Sequence, residues 1–292
     1  MFQAVDHVIL AVADLDKATA DYRTLLGRAP SWRGNHPTYG TRNTLFRLDD
    51  TYIELLAADP QARSPLSTML REVLDGRPER PLGLAVAVED INAAVNILRG
   101  AGLRVADPAE SEGVDERSGR RRSWRNAWID PTTSGGLRLL LIQHTSPPQM
   151  LPRSLPVADD ASVCLRVDHV VIFTGDMNAS LRLWNGAFRV PEQWRRDFPD
   201  RGTRNVGLKL GEVTLELIMR ADQPPGTIAD RLWGVAYEVL DCDRAVARLR
   251  AAGVEVDEPR PGLAPGTRVA TVRRRGTQTL LLARDVSRQT GG

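Results

Sequence analysis

The chain has 292 residues, 42% of them apolar and 26% charged, with a formal net charge of +2. This is ordinary globular composition, and the length allows two domains of roughly 150 residues each. No apolar run approaches the ~20 residues of a membrane helix, and Cys164 and Cys242 are too few for a disulfide framework or a thiolate metal site. The N-terminus enters a strand-like segment at once, without a basic-then-apolar leader, so a cytoplasmic protein with no membrane partner is expected. The clusters Arg120–Arg122 and Arg273–Arg275 sit in or beside strand-like segments of balanced charge. They read as solvated faces, so no nucleic-acid partner is expected.

The first strand is Val5–Leu10, a short β-branched run with His7 inside it. Asp14 caps a helix whose apolar face is Leu15, Ala18, Tyr22, Leu25 and Leu26, and Gly27 ends it. Strands follow at Pro30–His36, Asn43–Leu48 and Thr51–Ala57, the last two joined across Asp49-Asp50. Ser64–Asp75 is a short amphipathic helix leading into a second unit. That unit has a strand at Leu84–Val88, a helix capped by Asp90, and strands through Arg104, Arg125–Ile129 and Leu137–Gln143. A proline-rich, extended linker spans Thr145–Arg166. The third unit begins at Val167 with cap Asp176, and the fourth at Gly234 with cap Asp241.

Each unit is strand, helix, strand, strand, strand, and the units alternate as A-B-A-B. The A units superpose in sequence at one offset of 162 residues, which carries His7 to His169 and Glu54 to Glu216. A carboxylate in the middle of an apolar strand costs several kcal/mol unless it is neutralised. A divalent ion held by the strand-borne histidine and glutamate would neutralise it; a structural His–Glu ion pair is the plainer alternative. His36 offers a third ligand or an acid/base group. Its counterpart is Phe198, so the two-histidine, one-glutamate set exists only in the N-terminal half. The repeated Gly-Thr-Arg-Asn at 40–43 and 202–205 reads as a turn with glycine at positive φ and the Thr and Asn side chains bonding backbone. Substrate contacts by Arg42 and Asn43 are the alternative. His144 reads as structural or solvated.

The βαβββ units, the histidine opening the A units and the glutamate on their fourth strands resemble the vicinal oxygen chelate superfamily. Within it, Gly34-Asn35-His36-Pro37 followed by Gly40-Thr41-Arg42-Asn43 is similar to the glyoxalase-like group. The resemblance implies an α+β protein of four βαβββ modules forming two half-barrel domains, at 1–144 and 167–286. It also implies a divalent metal (Fe²⁺, Mn²⁺, Zn²⁺, Ni²⁺ or Mg²⁺) that polarises two vicinal oxygens of a small-molecule substrate. The B units depart from the pattern. Gly83 and Gly234 fall where a histidine is expected, and Leu140 and Leu280 where a glutamate is. Pairing A with B therefore leaves half a ligand set, whereas His7, Glu54, His169 and Glu216 would complete one only if the A units faced each other.

The expectation is a metal-dependent isomerase, epimerase or lyase, as a monomer or homodimer. Its metal ligands would be His7, His36 and Glu54, its catalytic groups His36 and Glu54, and its substrate contacts Asn43, Arg42 and Tyr52. His169 and Glu216 would form a second or shared site. An extradiol-type Fe²⁺ dioxygenase is one alternative. A metal-free ligand-binding or resistance protein is the other, suggested by the incomplete B units and by the tryptophans.

Overall fold

The structure, a computed structural model, describes residues 1–273 and 276–284. Arg274, Arg275 and the expected domain end at residue 286 lie outside them. Chain order follows the repeat. The first half runs β1 (Phe2–Val12), α1 (Leu15–Leu26), β2 (Trp32–His36), β3 (Thr41–Arg47), β4 (Tyr52–Ala58), α2 (Pro65–Leu74), β5 (Glu79–Val88), α3 (Ile91–Gly100), β6 (Ala109–Asp115), β7 (Arg121–Ile129) and β8 (Arg138–His144). The second runs β9 (Arg166–Phe173), α4 (Met177–Leu181), β10 (Glu192–Phe198), β11 (Thr203–Leu210), β12 (Val213–Arg220), β13 (Arg231–Glu238), α5 (Cys242–Ala251), β14 (Arg260–Pro261), β15 (Thr267–Val272) and β16 (Gln278–Arg284). Among the described residues no helix is long and apolar enough to cross a membrane.

The caps act as expected. Asp14 accepts from the Lys17 amide at the start of α1, and Gly27 closes the helix at φ 67°. Asp90, Asp176 and Asp241 cap α3, α4 and α5 in the same way. The second strand of the first B unit is β6, not a strand through Arg104. There Val105 makes only an isolated bridge to Ile129, and Pro108, lacking an N–H, precedes the true strand.

In each half, A pairs with B. β1 runs antiparallel to β5, and β9 antiparallel to β13. The first sheet, in the order β1-β4-β3-β2-β6-β7-β8-β5, is a closed barrel, whereas the second is an open eight-stranded sheet. Closure comes from β2 against β6, through Gly34 opposite Asp115 and Asn35 opposite Val114. The counterpart of β6 is the two-residue β14, ended by Pro261, which has too few ladder groups to reach β10. The facing-A arrangement is therefore not formed, and His7–Glu54 and His169–Glu216 belong to different sheets.

Strand alternation then sorts side chains. Val8, Leu10 and Val12 of β1 enter the main core with the helices, while Ile9 and Ala11 pack inside the barrel with Leu56, Leu70 and Leu74. That main core is continuous across both halves, joining Leu84 and Leu98 to Trp184, Tyr237 and Leu249. The segment after β8 is not a free linker. It docks on α1 and β2–β3 through Ser154 N to Arg47 O (2.8 Å), Ala29 N to Leu155 O (2.8 Å) and Cys164 N to Leu26 O (2.9 Å). Leu151, Val163 and Cys164 are buried there, and burial of that apolar surface holds the segment against the first half.

Candidate active site

β1, β4, β3 and β2 are consecutive neighbours, and this order brings the A-unit polar residues to one place inside the barrel. Tyr52 lies opposite His7 and Glu54 opposite Ile9, while His36 pairs with Thr41. Gly40, at φ 60°, makes the turn between β2 and β3. The Thr41 and Asn43 side chains enter the barrel instead of bonding the turn backbone.

His7 is 3% exposed. Its Nδ1 lies 2.7 Å from Asp6 Oδ1, its Nε2 3.4 Å from Glu54 Oε2, and its ring stacks on Tyr52 with centroids 4.4 Å apart. Asp6 takes a second contact from His144 Nε2 at 2.9 Å, which gives that histidine a structural partner. Asn43 donates to Glu54 Oε1 at 2.7 Å, and the same amide nitrogen stands 3.4 Å from His36 Nε2. His36 Nδ1 lies 3.1 Å from the Thr41 hydroxyl. His7, His36, Thr41, Asn43, Tyr52 and Glu54 line an inner cavity of about 70 Å³, room for a small polar group.

Burial opposes charge on every one of these groups, and the partners decide the outcome. For His7, Asp6 and Glu54 outweigh burial and hold the pKa up at about 9. For Glu54, His7, His36 and Asn43 outweigh it and hold the carboxyl down at about 2. Asp6 is pushed far below the usual carboxylate range by His144 and His7 against the burial cost. His36 goes the other way. Burial, helped by Arg122 and His7 and opposed by Glu54, lowers its pKa below 6.5, so it is neutral at pH 7. Burial also raises the Tyr52 phenol well above 10, leaving it protonated.

The B unit supplies the opposite wall. Arg122, Trp124, Asn126 and Trp128 alternate along β7 and all face the cavity, with Leu140 and Ile142 of β8. Leu140 pairs with Ala85 as Glu54 pairs with Ile9, so it holds the place of the second glutamate, and Gly83 holds that of the second histidine. Arg122 is a correction. It is not part of a solvated face but is 6% exposed, with its guanidinium 5.4, 5.8 and 5.9 Å from the ring centres of Trp32, Tyr52 and Trp124. The two-residue period of β7 carried that signal; the charge run hid it. Arg42 is not among the cavity-lining residues, since alternation sets it on the face opposite Thr41 and Asn43.

A three-donor metal set is not assembled. Among the described residues no group of three or more His, Cys, Asp or Glu side chains is placed to hold an ion. His7 and Glu54 meet, but the Asn43 amide stands between Glu54 and His36. His7 and Glu54 are thus the donors that meet directly, with His36 reached across the Asn43 amide. In the second sheet the partners repeat: His169 Nδ1 lies 2.7 Å from Asp168, His169 Nε2 3.6 Å from Glu216, and Asn205 donates to Glu216 at 2.7 Å. The position of His36 is filled by Phe198, at the end of β10.

Paired βαβββ units around a polar interior define a class of protein, and sequence comparison places this one in it. Residues 5–161 match the family described as "Glyoxalase-like domain", and residues 168–271 that described as "Glyoxalase/Bleomycin resistance protein/Dioxygenase superfamily". The chain belongs to the glyoxalase-like domain family of the vicinal oxygen chelate superfamily. It is 34% identical over 110 residues to an ethylmalonyl-CoA/methylmalonyl-CoA epimerase of Cereibacter sphaeroides, covering 38% of this chain and 79% of that protein. It is also 34% identical over 101 residues to the mitochondrial methylmalonyl-CoA epimerase of Homo sapiens, covering 34% of this chain and 54% of the relative. Among solved structures, a mutant of 4-hydroxymandelate synthase from Streptomyces coelicolor superposes with a TM-score of 0.69 at 16% identity, over 98% of this chain and 94% of the other. The Mn(II)-bound glyoxalase from Novosphingobium aromaticivorans superposes at 0.62 and 15% identity, over 97% and 82%. At those identities the superpositions speak for the fold.

Proposed function

We propose that the first barrel catalyses proton transfer at a carbon next to a carbonyl, isomerising or epimerising a small oxygenated metabolite. One observation carries this. Two histidines face one buried cavity with opposite partners, His7 between two carboxylates and His36 against a hydroxyl and an amide. Environments that push two titratable groups apart assign the acid and the base. His36, neutral, takes the proton from carbon at Nε2. His7, protonated and held by Glu54, gives its Nε2 proton to the carbonyl oxygen, so the C–H electron pair becomes the C=C bond of an enol. In an enediol, delivery of the His36 proton to the former carbonyl carbon, with the hydroxyl proton of the first carbon passing to His7, gives the isomer and restores both histidines; the epimer forms when the enol turns over and the first carbon is reprotonated on its opposite face. Glu54 acts by keeping His7 charged and Asn43 by orienting Glu54. Tyr52, stacked on His7 and protonated, walls the cavity and offers its hydroxyl to a substrate oxygen. The epimerase relatives, whose named reaction inverts a carbon centre, support the same class of chemistry.

A second reading, with a divalent ion on His7, Glu54 and His36, is favoured by the Asp6–His7 pair, because ligating histidines commonly donate their other nitrogen to a carboxylate. An ion would supply polarisation of the substrate carbonyl. Proton exchange separates the two. With a panel of hydroxyketones, 2-oxo acids and malonyl-type thioesters in D₂O, the chelator-treated protein is expected to wash deuterium into the carbon next to the carbonyl. His36→Gln and His7→Gln are each expected to lose that exchange by about 10²-fold or more. No exchange with any member, or exchange that appears only when Mn²⁺ is restored, would sink the metal-free assignment.

A further inference from the structure

The inner cavity holds one charge that the proton-transfer scheme does not use. Arg122 enters it from β7, more than nine-tenths buried, and among the described residues no carboxylate pairs with it. Its neighbours are the faces of Trp32, Tyr52 and Trp124, and ring faces attract the cation without using its N–H donors. One donor has the Tyr52 hydroxyl as a partner, while a guanidinium carries five in a planar fork that matches a carboxylate edge. On the facing strand, Asn43 Oδ1 is buried without a donor, an open acceptor in the same cavity. The carboxylates that are present, Asp6 and Glu54, are already paired with His7.

The cavity also adjoins a larger space. Tyr39, Leu66 and Trp128 are shared between it and a larger groove of about 1070 Å³, walled by Met69, Leu103 and Ile129. A ligand bridging the two has a small anionic head and an apolar tail.

We infer that Arg122 is a substrate-anchoring residue that takes the carboxylate of an acid bearing a vicinal oxygen, a 2-oxo or 2-hydroxy acid, with its chain in the outer groove. Bidentate pairing sets the carboxylate against Arg122 and turns the neighbouring carbonyl and its α-carbon toward the two histidines. The hydroxyl of a reduced or enolised ligand then meets Asn43 Oδ1. This names the substrate class of the proton-transfer reading and rests on it, but the anchoring step is separable from the chemistry.

The test is calorimetric titration with 2-oxooctanoate and with its methyl ester, which keeps the shape and removes the charge. The wild type is expected to bind the acid at least about tenfold more tightly than the ester, the range of a charge-assisted bidentate pair. Arg122→Leu is expected to bind both equally. Arg122→Lys, which retains charge without the fork and guards against misfolding of the first variant, is expected to keep the preference for the acid while weakening it several-fold. Equal binding of acid and ester by the wild type, no binding of the acid at millimolar concentration, or full acid affinity in either variant would overturn the assignment. Deuterium exchange on the same acid, followed in parallel, separates the two claims. Tight acid binding without exchange leaves the anchor and removes the proton-transfer reading, and exchange without acid preference does the reverse.

Discussion

At the scale of single residues, the barrel interior is a cluster whose charges cancel: Asp6 and Glu54 against His7 and Arg122, with His36 neutral. The glutamate buried in an apolar strand has the His7 imidazole and the Asn43 amide as its partners. This has a consequence for stability. The folded pKa of His7, about 9, lies above its ordinary 6.5. Its contribution is fully present below about pH 6.5 and is lost as the pH rises through about 9. Glu54, at about 2 against 4.5, contributes above about pH 4.5 and loses that as the pH falls toward 2. The melting temperature of the chelator-treated protein is thus expected to fall between about pH 7 and pH 9.5. In His7→Gln, which is less stable by roughly 3–5 kcal/mol because Asp6 and Glu54 lose the cation between them and keep only His144 and Asn43, that alkaline fall is expected to flatten. Parallel curves for the two proteins would show that His7 is not the group titrating.

At the scale of elements, much was legible because local signals and tertiary structure agree. The Asp caps, the closing glycines and the A-B-A-B order needed only spacing and helical periodicity. His7, Glu54 and His36 also read correctly as neighbours, since the odd polar residue in a strand stands out against its apolar run. Three things did not read. Arg122 sat inside a triplet of arginines, and Arg121 does pair with Glu112 at the surface. Only the alternation Arg122, Trp124, Asn126, Trp128 separates the inward member from its neighbours. Barrel closure depends on a non-local match. At Gly34 an added Cβ would come within 2.4 Å of the Val114 carbonyl, so that glycine is what lets β2 and β6 approach, and nothing within β2 announces it. The turn at 40–43 is made by Gly40 as expected, but Thr41 and Asn43, expected to bond its backbone, follow the inward face of β3.

At the scale of the whole molecule, duplication has produced two unequal halves. The first closes and buries its histidines; the second stays open and carries Phe198 where the first has His36. The halves are nonetheless one body, because the main core runs through both. Arg248 of α5 donates to the Thr24 and Leu25 carbonyls at the C-terminal end of α1. The proline-rich stretch between them is docked, so calorimetry is expected to record one cooperative unfolding transition, and two well-separated transitions would contradict a shared core. The central claim is narrower: one cavity holds an acid and a base made from the same residue type. The direct measurement is an NMR titration of the imidazoles in chelator-treated protein, with His7→Gln and His36→Gln used for assignment among the four histidines. The account predicts that His7 titrates near pH 9 and that His36 titrates below its ordinary 6.5. Two histidines titrating together near 6.5, or a neutral His7 at pH 7, would contradict it.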